Sequence, residues 1–239
     1  MQNVVAIIQA RMDSKRLPGK MLKKISDISL IEWIIERVKK SKKIKKIILA
    51  TTLNKKDDIL STIARKKKIC LFRGENNNVL TRFYHAAKLH KANFIIRICG
   101  DNPFVDFEQI DKLIKAFFSN NYDYVCNHQN KLNSKYANGF GAEMISFNLL
   151  ETLHKKARAK SQREHVTKYI WDNKSKFKIL AIPAPKNLAY PNLKFDINTK
   201  NDLIVIDKLA KLNNISFYSK AEEIIKIKLK TLKSKEKNI

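Results

Sequence analysis

The sequence predicts an α/β fold with a mostly parallel sheet flanked by helices, and three observations carry that expectation. Short apolar runs, VVAII at 4–8, KIILATT at 46–52 and FIIRI at 94–98, read as strands buried on both faces. Segments with helical periodicity alternate with them, the pattern of βαβ units. Two of the runs end in segments rich in turn chemistry and charge, as expected at the carboxyl ends of a parallel sheet, where open α/β folds bind ligands.

The first run breaks into QARMDSKRLPGK, which holds Arg11, Lys15, Arg16 and Lys20 around a Pro18-Gly19 turn. Arginine offers paired donors to phosphate oxygens and lysine a compact point charge, so the loop reads as a phosphate site. A solvated basic loop in a lysine-rich chain is the plainer alternative.

Further along, Ser29 and Glu32 read as a capping box for a helix to about Lys40. KIILATT is the next strand, Asp57 opens a helix, 69–72 is a short strand and 79–90 a helix. Phe94–Ile98 leads into Cys99-Gly100-Asp101-Asn102-Pro103, where Gly100 admits close backbone approach of a ligand. A carboxylate at a strand's carboxyl end is placed to hold Mg²⁺ at Asp101, although a turn cap explains it too. Asp106 reads as the cap of a helix over 107–118. Strands are expected at 122–126, 142–147, 177–182 and 192–197, with a polar excursion, HQNKLNSKYANGFG, after the first. Ser161 and Glu164 read as a second capping box, and Thr199 with Asp202 as a third. Asp196 and Asn198 share a face by period-two alternation. Ser219 with Glu222 is expected to cap a last helix, and 231–239 to be a flexible basic tail.

Composition narrows the class. The formal net charge of +27 suggests a polyanion partner, yet only nine of the 49 basic residues are arginine and the lysines are dispersed. That dispersion argues against nucleic acid as the main partner. Cys70, Cys99 and Cys126 have no pairing or metal spacing and read as buried thiols, which suits a reducing, cytoplasmic setting. No apolar run reaches membrane-span length and none reads as a signal peptide, so no membrane insertion is expected. His85 and His90 read as surface or packing residues.

The motif Q-A-R-M-x-S-x-R-L-P-G-K-x-L at Gln9–Leu22 resembles the opening motif of the cytidylyltransferases that activate acidic sugars. These are the CMP-Kdo and CMP-nonulosonate synthetases and, more closely, the spore-coat polysaccharide group. Asp13 stands where a small residue is usual. The resemblance implies a Rossmann-like nucleotidyltransferase domain of the GT-A kind over residues 1–230, with a small dimerisation or lid arm at about 127–175. It implies that the loop, with Gln9, Ala10, Arg11, Ser14, Arg16 and Lys20, wraps the triphosphate of CTP. R-I-C-G-D-N-P-F-V-D is similar to the family's metal segment, so Asp101 would bind Mg²⁺, with Arg97 and Gly100 beside the nucleotide. G-E-N-N-N-V-L-T-R at 74–82 is similar to a segment near the nucleoside, although Asn78 replaces its usual aspartate. Arg82 then faces the pyrimidine or a phosphate, or else solvent.

R-E-H-V-T-K-Y-I resembles a spore-coat-group segment that brings Arg163 and His165 to the acceptor, and Glu143 joins them from the arm. The family's second metal aspartate falls at Asn198, with Asp196 two residues earlier, so both are expected at the ion. Arg11, Lys20 and Asp101 would carry catalysis. The implied reaction moves CMP from CTP to an acidic acceptor and releases pyrophosphate, in surface-glycan synthesis by a homodimer. Two rivals remain: a nucleotide-sugar glycosyltransferase, which would carry D-x-D at the mid-chain strand end, and a basic scaffold protein.

Overall fold

The computed structural model describes residues 3–127 and 132–236. Among these residues the main sheet has seven strands in the order β5-β4-β1-β6-β8-β7-β9. These are β1 (Val4–Gln9), β4 (Lys46–Thr52), β5 (Cys70–Gly74), β6 (Phe94–Ile98), β7 (Tyr124–Cys126), β8 (Glu143–Ser146) and β9 (Ile179–Ala181). β1 pairs in parallel with both β4 and β6, β4 with β5, and β7 with β9. β8 runs against its neighbours β6 and β7. A two-stranded hairpin, β2 (Lys24–Ile25) and β3 (Ile28–Ser29), stands apart. The mostly parallel α/β expectation holds.

Alternation along β1 divides the core. Val4, Ala6 and Ile8 face a layer holding α1 (Leu30–Val38), α4 (Phe107–Phe118), α8 (Lys200–Leu212) and α9 (Ala221–Glu236). Val5 and Ile7 face the opposite layer, with α3 (Val79–Leu89), α5 (Phe147–Lys156) and α7 (Lys168–Asp172). Two short helices complete the elements that matter to the site, α2 (Asp58–Lys66) and α6 (Lys160–Glu164).

Several local expectations need correction. The strand at 142–147, read as part of an arm, is β8 inside the main sheet; its polar Glu143 is buried because it sits opposite Arg97 of β6. Segment 192–197 is extended but outside the sheet. It runs along the 134–142 loop, with Asn138 N–H on the Leu193 carbonyl at 2.9 Å and Phe195 N–H on that of Asn138 at 3.0 Å. Gly139 has φ +108°, and a Cβ there would come within 2.8 Å of Phe195, so the loop fits only as glycine. Of the polar excursion, 128–131 lie outside the described residues. The flexible tail expected at 231–239 also shifts: α9 continues through Glu236, and 237–239 lie outside the described residues.

Two caps behave as the sequence suggests and three do not. Asp106 accepts from Gln109 N at 2.9 Å, and Thr199 with Asp202 forms a full capping box. At Ser29 the hydroxyl instead donates to Glu32 at 2.6 Å. Ser161 lies inside α6, whose N-cap is Ala159, so Glu164 is not engaged in capping. Ser219 accepts from Ser216 N, and Glu223 rather than Glu222 receives the Lys220 N–H that opens α9.

Arg37 ties the C-terminal part to the rest. It is fully buried, donates to the carbonyls of Val105 at 2.8 Å, Ser216 at 3.2 Å and Phe217 at 3.3 Å, and stands 3.8 Å from Asp106. Asp106 in turn accepts from Ala221 N at 2.7 Å. Removing one partner of such a pair leaves the other charge buried alone. Arg37→Ala is therefore expected to cost about 3–5 kcal/mol, read as a lowered urea midpoint.

Candidate active site

β1 is the strand where the order reverses, with β4 and β5 on one side and β6 on the other. The loops leaving β1 and β6 therefore part there and open a crevice. They first touch: a Cβ on Gly100 would lie 2.3 Å from the Gln9 carbonyl oxygen. This backbone contact by itself requires glycine at position 100.

The basic loop folds around the backbone of Met12. The Met12 carbonyl accepts from Ser14 N at 3.0 Å and Gly19 N at 3.1 Å, and Gly19 takes the left-handed φ of 67° that closes the turn. Ser14 Oγ accepts from Leu17 N at 3.4 Å, a contact within the loop itself. The loop's cations then reach the far wall. Lys20 Nζ donates to the Ile197 carbonyl at 3.1 Å, and Arg16 Nη2 to Asn198 Oδ1 at 2.6 Å. Burial depresses the Lys20 ammonium below its ordinary pKa, partly offset by the attraction of Asp101.

Asp101 and Asp196 come together from distant parts of the chain. The Asp101 carbonyl accepts from Ile197 N at 2.8 Å, which ties the turn after β6 to the 192–198 segment. Asp196 accepts from Asn138 Nδ2 at 2.9 Å and from Asn198 Nδ2. Burial raises the Asp196 carboxyl above the ordinary range, and the nearby Asp101 raises it further. Two carboxylates whose charges oppose one another in this way fit a hard divalent cation, which would relieve their repulsion. Asn198 has its oxygen on Arg16 and its amide on Asp196, so in this structure it links the loop to the carboxylates.

Arg82 is not the solvated helix arginine that the sequence left open. It is buried on α3, donates to the Glu75 carbonyl at 2.7 Å, and has an Nε with no partner. Burial first, then the like charge of Arg11, push its guanidinium down to about 10. Gln9 Oε1 and Arg97 Nε are likewise buried without partners. These groups surround a cavity of about 400 Å³ that also takes in Ala10, Arg11, Ser14, Arg16, Lys20, Gly100, Asp101 and His165. Cys99 lines it too, but burial pushes that thiol up to about 12, which keeps it protonated and out of nucleophilic chemistry.

A second cavity, of about 500 Å³, shares Arg97 and His165 with the first and adds Glu143, Thr167, Lys168 and Trp171. Arg97 Nη1 meets Glu143 Oε1 at 2.9 Å, and Glu143 Oε2 accepts from Thr167 Oγ1 at 2.9 Å. Arg163 is apart from this group: it lines a third cavity of about 250 Å³ with Asn78, His154 and Arg158. Glu164, assigned only to capping, lines the first cavity; α6 begins two residues earlier than the Ser161 cap implied, which leaves Glu164 at its last turn. No disulfide joins the three cysteines, and no cluster of three or more metal-ligating side chains occurs among the described residues. His85 packs edge-on against the Tyr84 ring, 5.1 Å between centroids. No helix among the described residues is long and apolar enough to cross a membrane.

The profile described as cytidylyltransferase matches residues 5–239. The chain is 39% identical over 208 residues to uncharacterized protein MJ1063 of Methanocaldococcus jannaschii, covering 87% of this chain and 83% of that one. It is 35% identical over 207 residues to spore coat polysaccharide biosynthesis protein SpsF of Bacillus subtilis, covering 84% of each. A cytidylyltransferase from Leptospira borgpetersenii superposes with TM-score 0.90 at 28% identity, over 98% of this chain and 96% of that one. CMP:2-keto-3-deoxy-manno-octonic acid synthetase, solved with CTP, shares the fold at TM-score 0.65 and 15% identity, over 89% of this chain and 100% of that one. The match over nearly the whole chain sets aside the glycosyltransferase and scaffold alternatives: this protein belongs to the cytidylyltransferase family and is a CTP-dependent nucleotidyltransferase.

Proposed function

We propose that the protein transfers CMP from CTP to an acidic, sugar-like acceptor and releases pyrophosphate, as a step in making a surface polysaccharide. The observation that carries this reading is the convergence of Arg11, Arg16 and Lys20 with Asp101 and Asp196 at the point where the strand order reverses. Phosphoryl chemistry asks little covalent work of a protein, so position and charge do most of it. Arg11, Arg16 and Lys20 hold the β and γ phosphates and balance the charge that grows on the leaving pyrophosphate. Arg82 and Gln9, with unpartnered atoms in the wall, receive the nucleoside end. The acceptor lies in the second cavity, where Arg97 and Lys168, each paired with a carboxylate (Glu143 and Asp172), stand with Lys174 and His165 as donors to an anion and Trp171 offers an apolar face. Its oxygen passes between Arg97 and His165, the residues common to both cavities, to reach the α-phosphate.

Asp101 and Asp196 would hold Mg²⁺. When bound, the ion neutralises phosphate charge and makes the α-phosphorus more open to attack. The protein's own part is to hold both carboxylates within reach of the loop. Spore coat protein SpsF and the 3-deoxy-manno-octulosonate cytidylyltransferase of Rickettsia prowazekii, 33% identical over 129 residues, support an acidic sugar in a glycan route. Three thiols without a disulfide suit a reducing cytoplasm.

Nucleotide choice tests this directly. CTP is expected to raise the melting temperature more than equal concentrations of ATP or GTP, because only the bound native state gains by linkage. Equal shifts from all three would reduce the loop to a general polyanion site.

A further inference from the structure

Asp57 heads α2, where a carboxylate ordinarily accepts from the helix's first amides. It does not do so. As the N-cap residue it makes no side-chain hydrogen bond to its own helix, although it is 2% exposed. Its carboxylate turns away and accepts from Met12 N at 2.7 Å, from Thr52 N at 3.3 Å and from the Thr52 hydroxyl. A buried carboxylate is costly unless fully bonded, and here the bonds go to the basic loop and to the end of β4.

Met12 is also the residue on whose carbonyl the loop closes, through Ser14 N and Gly19 N. Its peptide unit is therefore held on both sides: the N–H by Asp57, the C=O by the turn. Arg11 lies immediately before this point, with Arg16 and Lys20 beyond it. Asp57 is also the carboxylate whose field reaches the buried Arg82, opposing the effects of burial and of Arg11. One acidic group thus anchors the loop and opposes part of what burial and Arg11 do to Arg82 in the same wall.

We propose that Asp57 is a positioning residue of this enzyme, which acts through Met12 to hold the cation loop in the geometry that the triphosphate needs. The inference rests on the reading of that loop as the nucleotide cradle, but the tether itself can be measured without nucleotide. Misplacing catalytic groups by about 1 Å can cost about 10²-fold. Asp57→Asn keeps the size of the side chain but loses its charge and turns an NH₂ toward a donor. It is expected to lower kcat by about tenfold or more, exceeding any rise in KM for CTP. Trypsin cleavage after Lys15 and Arg16, followed by mass, should speed up by a similar factor while the urea midpoint moves little.

Thr52→Val is the control, since it alters the same carboxylate's environment on the side away from the loop. It should leave kcat and loop cleavage within about threefold of the unaltered protein, so that any stability loss it causes stands apart from the tether. Hydrogen exchange gives a reading that needs no variant: the Met12 amide should be as slow as those of β4. A fast Met12 amide overturns the proposal. So does native kcat and cleavage in Asp57→Asn, and so does a Thr52→Val protein that shows both defects. Slow Met12 exchange together with equal thermal shifts for all nucleotides would keep the tether and defeat the cradle.

Discussion

Asp101→Asn is expected to remove nearly all turnover, by about 10³-fold or more, and Asp196→Asn to come close to it. The two acids approach from the turn after β6 and from the 192–198 segment, and a cation between them would make their proximity favourable. The stability consequence has the opposite sign. Because the Asp196 carboxyl is raised in the folded protein, its ionised form costs stability, and the metal-free protein gains stability as pH falls through that raised value. Asp196→Asn without Mg²⁺ should then melt no lower than the unaltered protein while losing activity. A Mg²⁺ titration completes the test, since both variants should need far more ion for whatever turnover remains. If Asp196→Asn instead turns over normally, Asp196 is only structural, and Asp101 holds the ion with water and phosphate oxygens.

Lys20→Ala is expected to lower kcat by about 10²-fold or more, in line with other lost electrostatic donors. The ammonium is drawn out of water between Asp101 and the Ile197 carbonyl, where the effective dielectric is low and a point charge acts strongly. Charge on the departing pyrophosphate grows toward the transition state, so the loss should appear in kcat more than in KM. Lys20→Met, which keeps most of the buried stem, separates charge from packing and should be about as slow as the alanine variant. Turnover within about threefold of the unaltered enzyme, with the fold intact, would remove Lys20 from the chemistry.

Elements whose signal is local and unopposed are legible in the chain itself. KIILATT and FIIRI coincide with β4 and β6 because both are buried in the sheet's interior, where apolar runs are what the packing asks for. Asp106 and Thr199 cap as expected because their partners lie three residues away. The failures share a cause, contacts far along the chain. The resemblance placed 142–147 in an arm, and only the pairing of Glu143 with Arg97, 46 residues distant, lets that polar residue sit in the main sheet. The 192–197 run has strand composition, yet it is taken up by the 134–142 loop. Asp57 and Asp58 are adjacent acids at a helix start, and sequence cannot tell which one turns outward. Asp58 pairs with Arg73 at 2.7 Å in the open, while Asp57 bonds to Met12, 45 residues earlier. The basic loop is the most readable part of the candidate site because its cations lie within one short segment. The second cavity is the least readable, since it is assembled from β6, β8 and the chain around α6 and α7.

Pyrophosphate release from CTP and Mg²⁺, measured with and without a panel of acidic acceptors, tests the central claim most directly. The account predicts release that requires CTP rather than ATP or GTP, depends on an acidic sugar in the panel, and yields a CMP-linked product in equal amount. Acceptor-independent release, or release that is equally fast with every nucleotide, would contradict it.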